Sequence, residues 1–342
     1  MFGPDTQQLK CEYCDNTFDL ETVRAYNESE KPKEDAFHWE NQQKQEWSEE
    51  DQQLVRSFQC PSCGGEIVTD ETTAATFCPF CDNPTILPSR LSGGWKPDAV
   101  LPFKTSKEDA QKAFLKLCKG KPLLPKGFTS NQRLEKITGM YVPFWLYDCS
   151  AEYDGNYKAT RIRHWSDSRY NYTKTDHYLL RRRARAAFTG IPMDASSKLA
   201  DSFLESIEPF DYSQMESFDT AYLTGYFADK YDVESESGEE RIRQRVEQSM
   251  NDALQDTLLG YTTVVPTSRH MIVQHSQARY VLLPVWMLNS EYNGKIHTFL
   301  MNGQTGKMTG SLPVCSKRAV TWFASICAAV TIAVTLLQFL LV

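Results

Sequence analysis

Four cysteines in two close pairs, Cys60-Pro-Ser-Cys63 and Cys78-Pro-Phe-Cys81, have the type and spacing to hold one metal ion. Each Cys-x-x-Cys bends the backbone so that both sulfurs reach the same centre, and fourteen residues separate the pairs. Gly64-Gly65 after the first pair supplies the backbone freedom that a knuckle requires, and Asp82-Asn83 after the second pair tolerates the left-handed region. Four thiolates are the ligand set of a closed structural zinc ribbon. They leave no coordination position for water, so such a metal supplies folding energy and not hydrolysis. Two disulfides are the competing use of these residues. They need an oxidising compartment, and the chain reads with no signal peptide ahead of the cysteines.

Cys11-Glu-Tyr-Cys14 is a second, incomplete set. An aromatic residue precedes Cys14 and Asp15-Asn16-Thr17 follows it, much as Phe80 precedes Cys81 and Asp82-Asn83-Pro84-Thr85 follows. The pair therefore reads as the closing half of another ribbon, a partial zinc knuckle over 1–20, with its opening half upstream of Met1 or lost. Three other uses stay open: recruitment of His38, a metal shared across a dimer, and free thiols.

At the other end, 319–342 holds twenty-four residues without a charge. At 1.5 Å rise per residue they outspan a hydrocarbon core of about 30 Å, so the sequence predicts a transmembrane helix. Lys317 and Arg318 stand immediately before it and Trp322 at interfacial depth, which places the bulk of the chain on the cytoplasmic side of a cell membrane. The polar Thr321, Thr331, Thr335 and Gln338 are read as bonding to the helix backbone or to a neighbouring helix. A reducing cytoplasm agrees with thiolate ligands and makes Cys118, Cys149, Cys315 and Cys327 free thiols.

Between these ends the composition is that of a folded protein, 41% hydrophobic and 24% charged. The expected fold class is α+β: a zinc ribbon over 58–88, a β-rich domain with a few helices over 97–316, and the helix over 319–342. Residues 21–57 are rich in Glu, Gln, Lys and Asp and read as a solvated helix or linker. Pro88, Gly93-Gly94 and Pro97 mark a boundary after the ribbon. Ala110, Ala113, Phe114 and Leu117 share one helical face after a Ser106 cap, and Ile242, Val246, Met250 and Leu254 share another. An internal echo links Tyr141-Val142-Pro143-Phe144-Trp145-Leu146-Tyr147-Asp148 to Pro284-Val285-Trp286-Met287-Leu288-Asn289. Asp154-Gly155 follows the first and Asn293-Gly294 the second, so each predicts strand, turn, strand, and two related β-hairpin units.

Residues 157–188 carry nine Lys and Arg against two Asp in a chain whose net charge is −7. Interleaved Trp165, Tyr170, Tyr172 and Tyr178 allow three readings. One is a twisted hairpin whose arginines pair with the acidic 201–240 stretch, one a face toward anionic lipid, and one a single-strand nucleic-acid surface. Catalytic patterns are poor. Asn302-Gly303-Gln304-Thr305-Gly306-Lys307 lacks the leading Gly and the trailing Ser or Thr of a phosphate loop and reads as a tight turn. No histidine or carboxylate spacing matches a metal hydrolase, so the chain is expected not to be an enzyme.

The ribbon with its continuation to Asn83-Pro84-Thr85 resembles bacterial membrane-tethered proteins with a transcription factor IIB-type zinc ribbon. The resemblance extends through Pro102-Phe103-Lys104, Val142-Pro143-Phe144-Trp145, Pro192-Met193-Asp194-Ala195-Ser196, Leu282-Leu283-Pro284-Val285-Trp286 and Asn302-Gly303-Gln304-Thr305-Gly306-Lys307, nearly the whole chain. Such proteins are often labelled as similar to the replication-restart helicase, but helicase motor motifs are missing here. The resemblance implies a tail-anchored membrane component found beside phage-shock-protein-A-like and stomatin-like scaffolds, which it would help to recruit in membrane stress. A membrane-held nucleic-acid-binding protein is the alternative, and a hydrolase with an unrecognised site is a third class.

Overall fold

The computed structural model describes residues 2–3, 8–10, 17–19, 36–39, 46–48, 51–52, 55–70, 78–81, 83, 87–89 and 95–341. Two units alternate along the chain. One comprises Met1–Gln42, Tyr147–Ile191 and Gly238–Gln277, the other Gln43–Leu146, Pro192–Ser237 and Ala278–Val342.

In the second unit the strands are β1 (Val55–Gln59), β2 (Glu66–Asp70), β3 (Leu87–Ser89), β4 (Ala99–Val100), the first part of β5 (Thr138–Ser166), the end of β6 (Asn171–Asp194), β7 (Phe227–Asp229), the last part of β8 (Thr263–Tyr292), β9 (Lys295–Asn302) and β10 (Met308–Gly310). The β1–β2 hairpin, whose connecting loop carries the first cysteine pair, is extended by the main sheet. Val68 and Ile67 of β2 pair antiparallel with Ala228 and Asp229 of β7, and β7 runs parallel to β5 with Phe227 opposite Met140. The sheet therefore continues from β2 into a strand far beyond the proline- and glycine-marked stretch.

The run Val281-Leu282-Leu283-Pro284-Val285-Trp286-Met287-Leu288 is apolar without alternation, as expected of a strand covered on both faces. Val285 and Met287 enter one cluster with Cys60, Ile67, Cys78 and Phe80, while Trp286 and Leu288 enter another with Ala110, Phe114 and Phe299. The second cluster is closed by helix α1 (Lys107–Cys118), which starts in a full capping box between Ser106 and Asp109. Its Ala110, Phe114 and Cys118 are buried.

The two dipeptides of the internal echo part ways. Asn293-Gly294 is a two-residue turn between β8 and β9, both residues at positive φ (52° and 72°), with Tyr292 opposite Lys295. Asp154-Gly155 makes no turn and lies inside β5, so the first hairpin expectation is corrected. The ring of Tyr153 fills the place of a Gly155 Cβ, at 2.7 Å, and Asp154 receives Arg181 through two hydrogen bonds of 2.9 and 2.6 Å. A side chain committed across the strand does not free the backbone to reverse. The chain turns instead at 167–170, where Asp167 Oδ1 accepts the N–H groups of Arg169 and Tyr170, each at 2.8 Å.

The first unit contains the rest of β5, β6 and β8, with helix α2 (Glu239–Gln255). Ile242, Val246, Met250 and Leu254 of α2 are all buried, and its Glu247 reaches Arg269 of β8 at 3.8 Å. Arg182 donates to the carbonyl and hydroxyl oxygens of Thr257 just beyond the helix end, at 2.9 and 3.0 Å, satisfying an acceptor there. Within 21–57, Ala36–Trp39 is a strand parallel to β8, with Phe37 opposite Val273, and departs from the linker reading. That Ala-Phe-His-Trp run is the least polar part of an otherwise hydrophilic stretch.

Five cations of the basic segment pair with carboxylates of their own hairpin. Arg181 and Arg183 share Asp154, Arg185 meets Glu152 at 3.0 Å, and Arg163 and Lys174 share Asp176 at 3.1 and 3.0 Å. Neighbouring rungs of one ladder bring opposite charges together at lower loop-closure cost than a distant segment does.

Candidate metal centre

Cys60 and Cys63 sit in the loop that joins β1 to β2, and Cys78 and Cys81 in a turn ahead of β3. In the first knuckle Cys60 N–H donates to the Gly65 carbonyl and Gly64 N–H to the Cys60 carbonyl, each at 2.9 Å. Gly64 is at φ +72°, which costs glycine nothing. Gly65 has a second role: a Cβ there would lie 2.8 Å from the Phe80 ring, so only glycine lets the knuckles close on each other. In the second knuckle Cys78 N–H donates to the Asn83 carbonyl at 2.8 Å.

The four sulfurs all lie within 4.8 Å of one another, with Cys60–Cys81 at 3.7 Å and Cys63–Cys78 at 3.6 Å. A tetrahedron with metal–sulfur bonds of about 2.3 Å has edges of about 3.8 Å, whereas a disulfide needs about 2.05 Å. The four donors thus fit a tetrahedral ion, and the cysteines are unpaired. Cys60 and Cys78 are fully buried and Cys63 and Cys81 half-buried. Burial opposes ionisation of Cys60, but the N–H groups of Cys63 and Ser62 and the adjacent thiols outweigh it and bring its pKa down to about 7. Burial raises the pKa of Cys63 and of Cys78. An entering ion therefore has protons to displace.

Asn289 supplies the outer support, and its role is not legible in the spacing of the cysteines. From the last part of β8 its buried Nδ2 donates to the carbonyls of Pro79 and Phe80 at 2.8 and 2.7 Å, fixing the backbone between Cys78 and Cys81. Its Oδ1 is buried with no hydrogen-bond partner among the described residues, so the amide serves the knuckle at the expense of its own acceptor. The one available signal was the echo, which ends on a polar residue, Asn289, after the apolar run 281–288.

Beside the ribbon, Asp229 stands opposite Ile67 with 2% exposure. Burial, then the nearby Asp232, pushes its pKa up to about 8 against a lowering contact from Ser196, so the acid is held protonated at neutral pH. Lys230 reaches Glu66 at 3.3 Å and Ser57 donates to Glu66 at 3.0 Å, tying the ribbon hairpin to β7 at the surface.

Cys11 and Cys14 lie outside the described residues, as does His38 in its side chain. The strands around the first pair, Gln8–Lys10 and Thr17–Asp19, are antiparallel with Lys10 opposite Thr17. Among the described residues the grouping at Cys60, Cys63, Cys78 and Cys81 is the one set able to hold an ion.

The same unit ends in helix α3 (Ser316–Leu341), of which Ser316–Phe339 is long and apolar enough to cross a membrane, with none of that span buried. Its hydroxyls bond back to carbonyls four residues earlier, Thr321 to Lys317, Thr331 to Cys327 and Thr335 to Thr331, at 2.8 to 3.0 Å. The helix entrance is fixed by Cys315 N–H on the Leu123 carbonyl at 2.9 Å and by Arg318 on the carbonyl of Leu124. The segment 303–307 is the expected turn, with Gly306 N–H on the Asn302 carbonyl and Asn302 Oδ1 accepting from Gln304 and Thr305.

Fold and site together define an α+β protein with a four-cysteine centre built into its sheet and a C-terminal helix of membrane-crossing length. The chain belongs to the family of YdjG from Bacillus subtilis (strain 168), described as an uncharacterized protein. It is 34% identical to YdjG over 84% of this chain and 99% of that protein. No family profile matches the chain, and no solved structure does.

Proposed function

We propose that this protein is a non-enzymatic adaptor, anchored in the cell membrane by α3, which holds a structural zinc ion and gathers protein partners at the cytoplasmic face. The observation that carries the reading is the closed set of four sulfur donors, built into the unit that also bears the apolar helix. Four protein ligands suit zinc and leave it no open position for substrate. Lys317 and Arg318 at the helix entrance favour a cytoplasmic location for the bulk of the chain. The partners we favour are phage-shock-protein-A-like or stomatin-like scaffolds, on the strength of the family resemblance carried by the ribbon, and the setting is membrane stress. The nucleic-acid reading is weaker, since five cations of the basic segment already face carboxylates of their own hairpin.

The test compares full-length protein with a form truncated before Ser316, each isolated with its bound proteins from gently solubilised cells. A scaffold protein that follows the bait, on membranes with the full chain and in the cytosol with the truncated one, supports the adaptor. A scaffold that stays on membranes when the anchored protein is absent overturns it. Bound zinc is checked by elemental analysis, with one ion per chain at the four cysteines as the expected result.

A further inference from the structure

From Ala110 to Leu134 the chain holds five lysines and Arg133 and no carboxylate, in a protein of net charge −7. The run covers most of α1 and the loop after it, within the unit that ends in α3. Lys119, Lys121 and Lys126 of that loop are exposed, and none of them is in an ion pair among the described residues. The fold brings the loop to the entrance of α3. Cys315 N–H donates to the Leu123 carbonyl at 2.9 Å, and the Arg318 guanidinium donates to the carbonyls of Pro122 and Leu124, the latter 194 residues earlier in the chain. Leu124 is buried in one cluster with Phe114 and Phe128, so the helix entrance is tied to the packed body of its own unit.

Depth follows from helix geometry. Ala319 opens the uncharged span and Cys315 stands four residues before it, about 6 Å along the axis. The headgroup layer on each side of the hydrocarbon is about 5–8 Å thick. In a bilayer crossed by α3, Leu123 therefore lies at headgroup depth, and the stems of the neighbouring lysines carry their ammonium groups toward the phosphates. Exposed Lys317 and Val314, the latter at 58%, stand at the same level. The β8–β9 turn also arrives here, with the Tyr292 hydroxyl donating to the Cys315 sulfur, and its exposed Glu291 and Lys295 balance each other. Counting positive charge along the chain near the span finds Lys317 and Arg318; the fold adds three lysines that the count does not see.

We infer that Lys119, Lys121, Lys126 and Lys317 form a docking surface for the headgroups of anionic phospholipids around the entrance of α3. The inference rests on the membrane-anchored reading of the chain. Lipid is favoured over other polyanions because the contacts that gather these cations are the ones that fix them beside the apolar span. For a test, full-length protein is reconstituted in vesicles of phosphatidylcholine, alone or mixed with phosphatidylglycerol, and the rate at which an amine-reactive reagent acylates each lysine is read by mass spectrometry. Acylation of Lys119 and Lys121 should slow by about fivefold in the anionic vesicles, the gain of one cation near such a surface, and high salt should restore it. Lys96, held by Asp51 at 2.7 Å, should keep one rate in both. Vesicle flotation is scored on the same samples. Protein that floats while Lys119 and Lys121 react equally in both lipids overturns the docking surface and leaves the anchor standing. Slowing in neutral vesicles on addition of glycerol phosphate, to the extent seen with phosphatidylglycerol, overturns it in favour of a soluble anion. Slowing by a single-stranded oligonucleotide and not by phosphatidylglycerol overturns it in favour of nucleic acid. Protein that does not float overturns the anchored reading and the docking surface with it.

Discussion

The metal centre and the basic hairpin were both conspicuous as residue types, yet they use their groups in opposite directions. Around the four cysteines everything turns inward: sulfurs in the core cluster, the Phe80 ring against Gly65, the Asn289 amide on two carbonyls. Along the hairpin five of the nine cations meet carboxylates of the same two strands, and everything they hold stays at the surface. Ligand spacing encodes a local geometry that folding has to reproduce, whereas a count of like charges says nothing of which carboxylates stand opposite. The first kind of signal survives translation into structure; the second needs the register before it has meaning.

The largest effect that would break this contrast is loss of the zinc ion proposed for the four cysteines. Chelation, or Cys60→Ser, should unfold the ribbon-containing unit as a whole and not only the knuckles, since structural zinc in small domains contributes about 10–16 kcal/mol. Hydrogen exchange checks it: protection should vanish in 281–288 and 299–301 as well as in 55–70. If only the knuckles lose protection, the ribbon is a separate module after all. Next comes Asp229. Its folded pKa of about 8 lies above the ordinary carboxyl value, so the fold keeps a proton that the unfolded chain releases. Stability should therefore fall as pH rises from about 4 to about 8, with a slope approaching 1.4 kcal/mol per unit at most. Asp229→Asn, which has no such proton to lose, should flatten that part of a denaturation series.

Asn289→Ala removes the support of the second knuckle while sparing every ligand. We expect metal affinity to drop by about 10–100-fold, read by competition with a chromophoric chelator, and stability by about 1–3 kcal/mol. Smallest is Arg181→Ala. Arg183 still reaches Asp154 and both partners are partly solvated, so the loss should be about 1 kcal/mol, with faster exchange confined to 147–191. An Arg181 effect that spreads to metal affinity would erase the distinction between the two regions.

Much of this was legible in the residues. The four ligands, the Ser106-capped helix, the buried stripe of α2, the Asn293-Gly294 turn and the apolar terminal helix each rest on a signal contained within one element. The misreadings share a cause as well. Asp154-Gly155 has turn chemistry, but Arg181 and the Tyr153 ring hold it extended, and both influences come from side chains that local pattern does not weigh. The strand that extends the β1–β2 hairpin, β7, lies far along the chain, so the pairing has no local signal. Asn289 was invisible as a supporting residue for the same reason.

That distance has a consequence for the order of events on the ribosome. Asn289 is 209 residues beyond Phe80, so at synthesis rates of about 5–20 residues per second the knuckle waits roughly 10 to 40 s for its amide. During that interval the open edge of β2, the carbonyls of Pro79 and Phe80 and the four cysteine sulfurs of the nascent chain are open to whatever chaperone or metal donor reaches them first. The anchor helix leaves the ribosome later still, so the timing of metal loading and of membrane delivery is written into the connectivity of a single sheet.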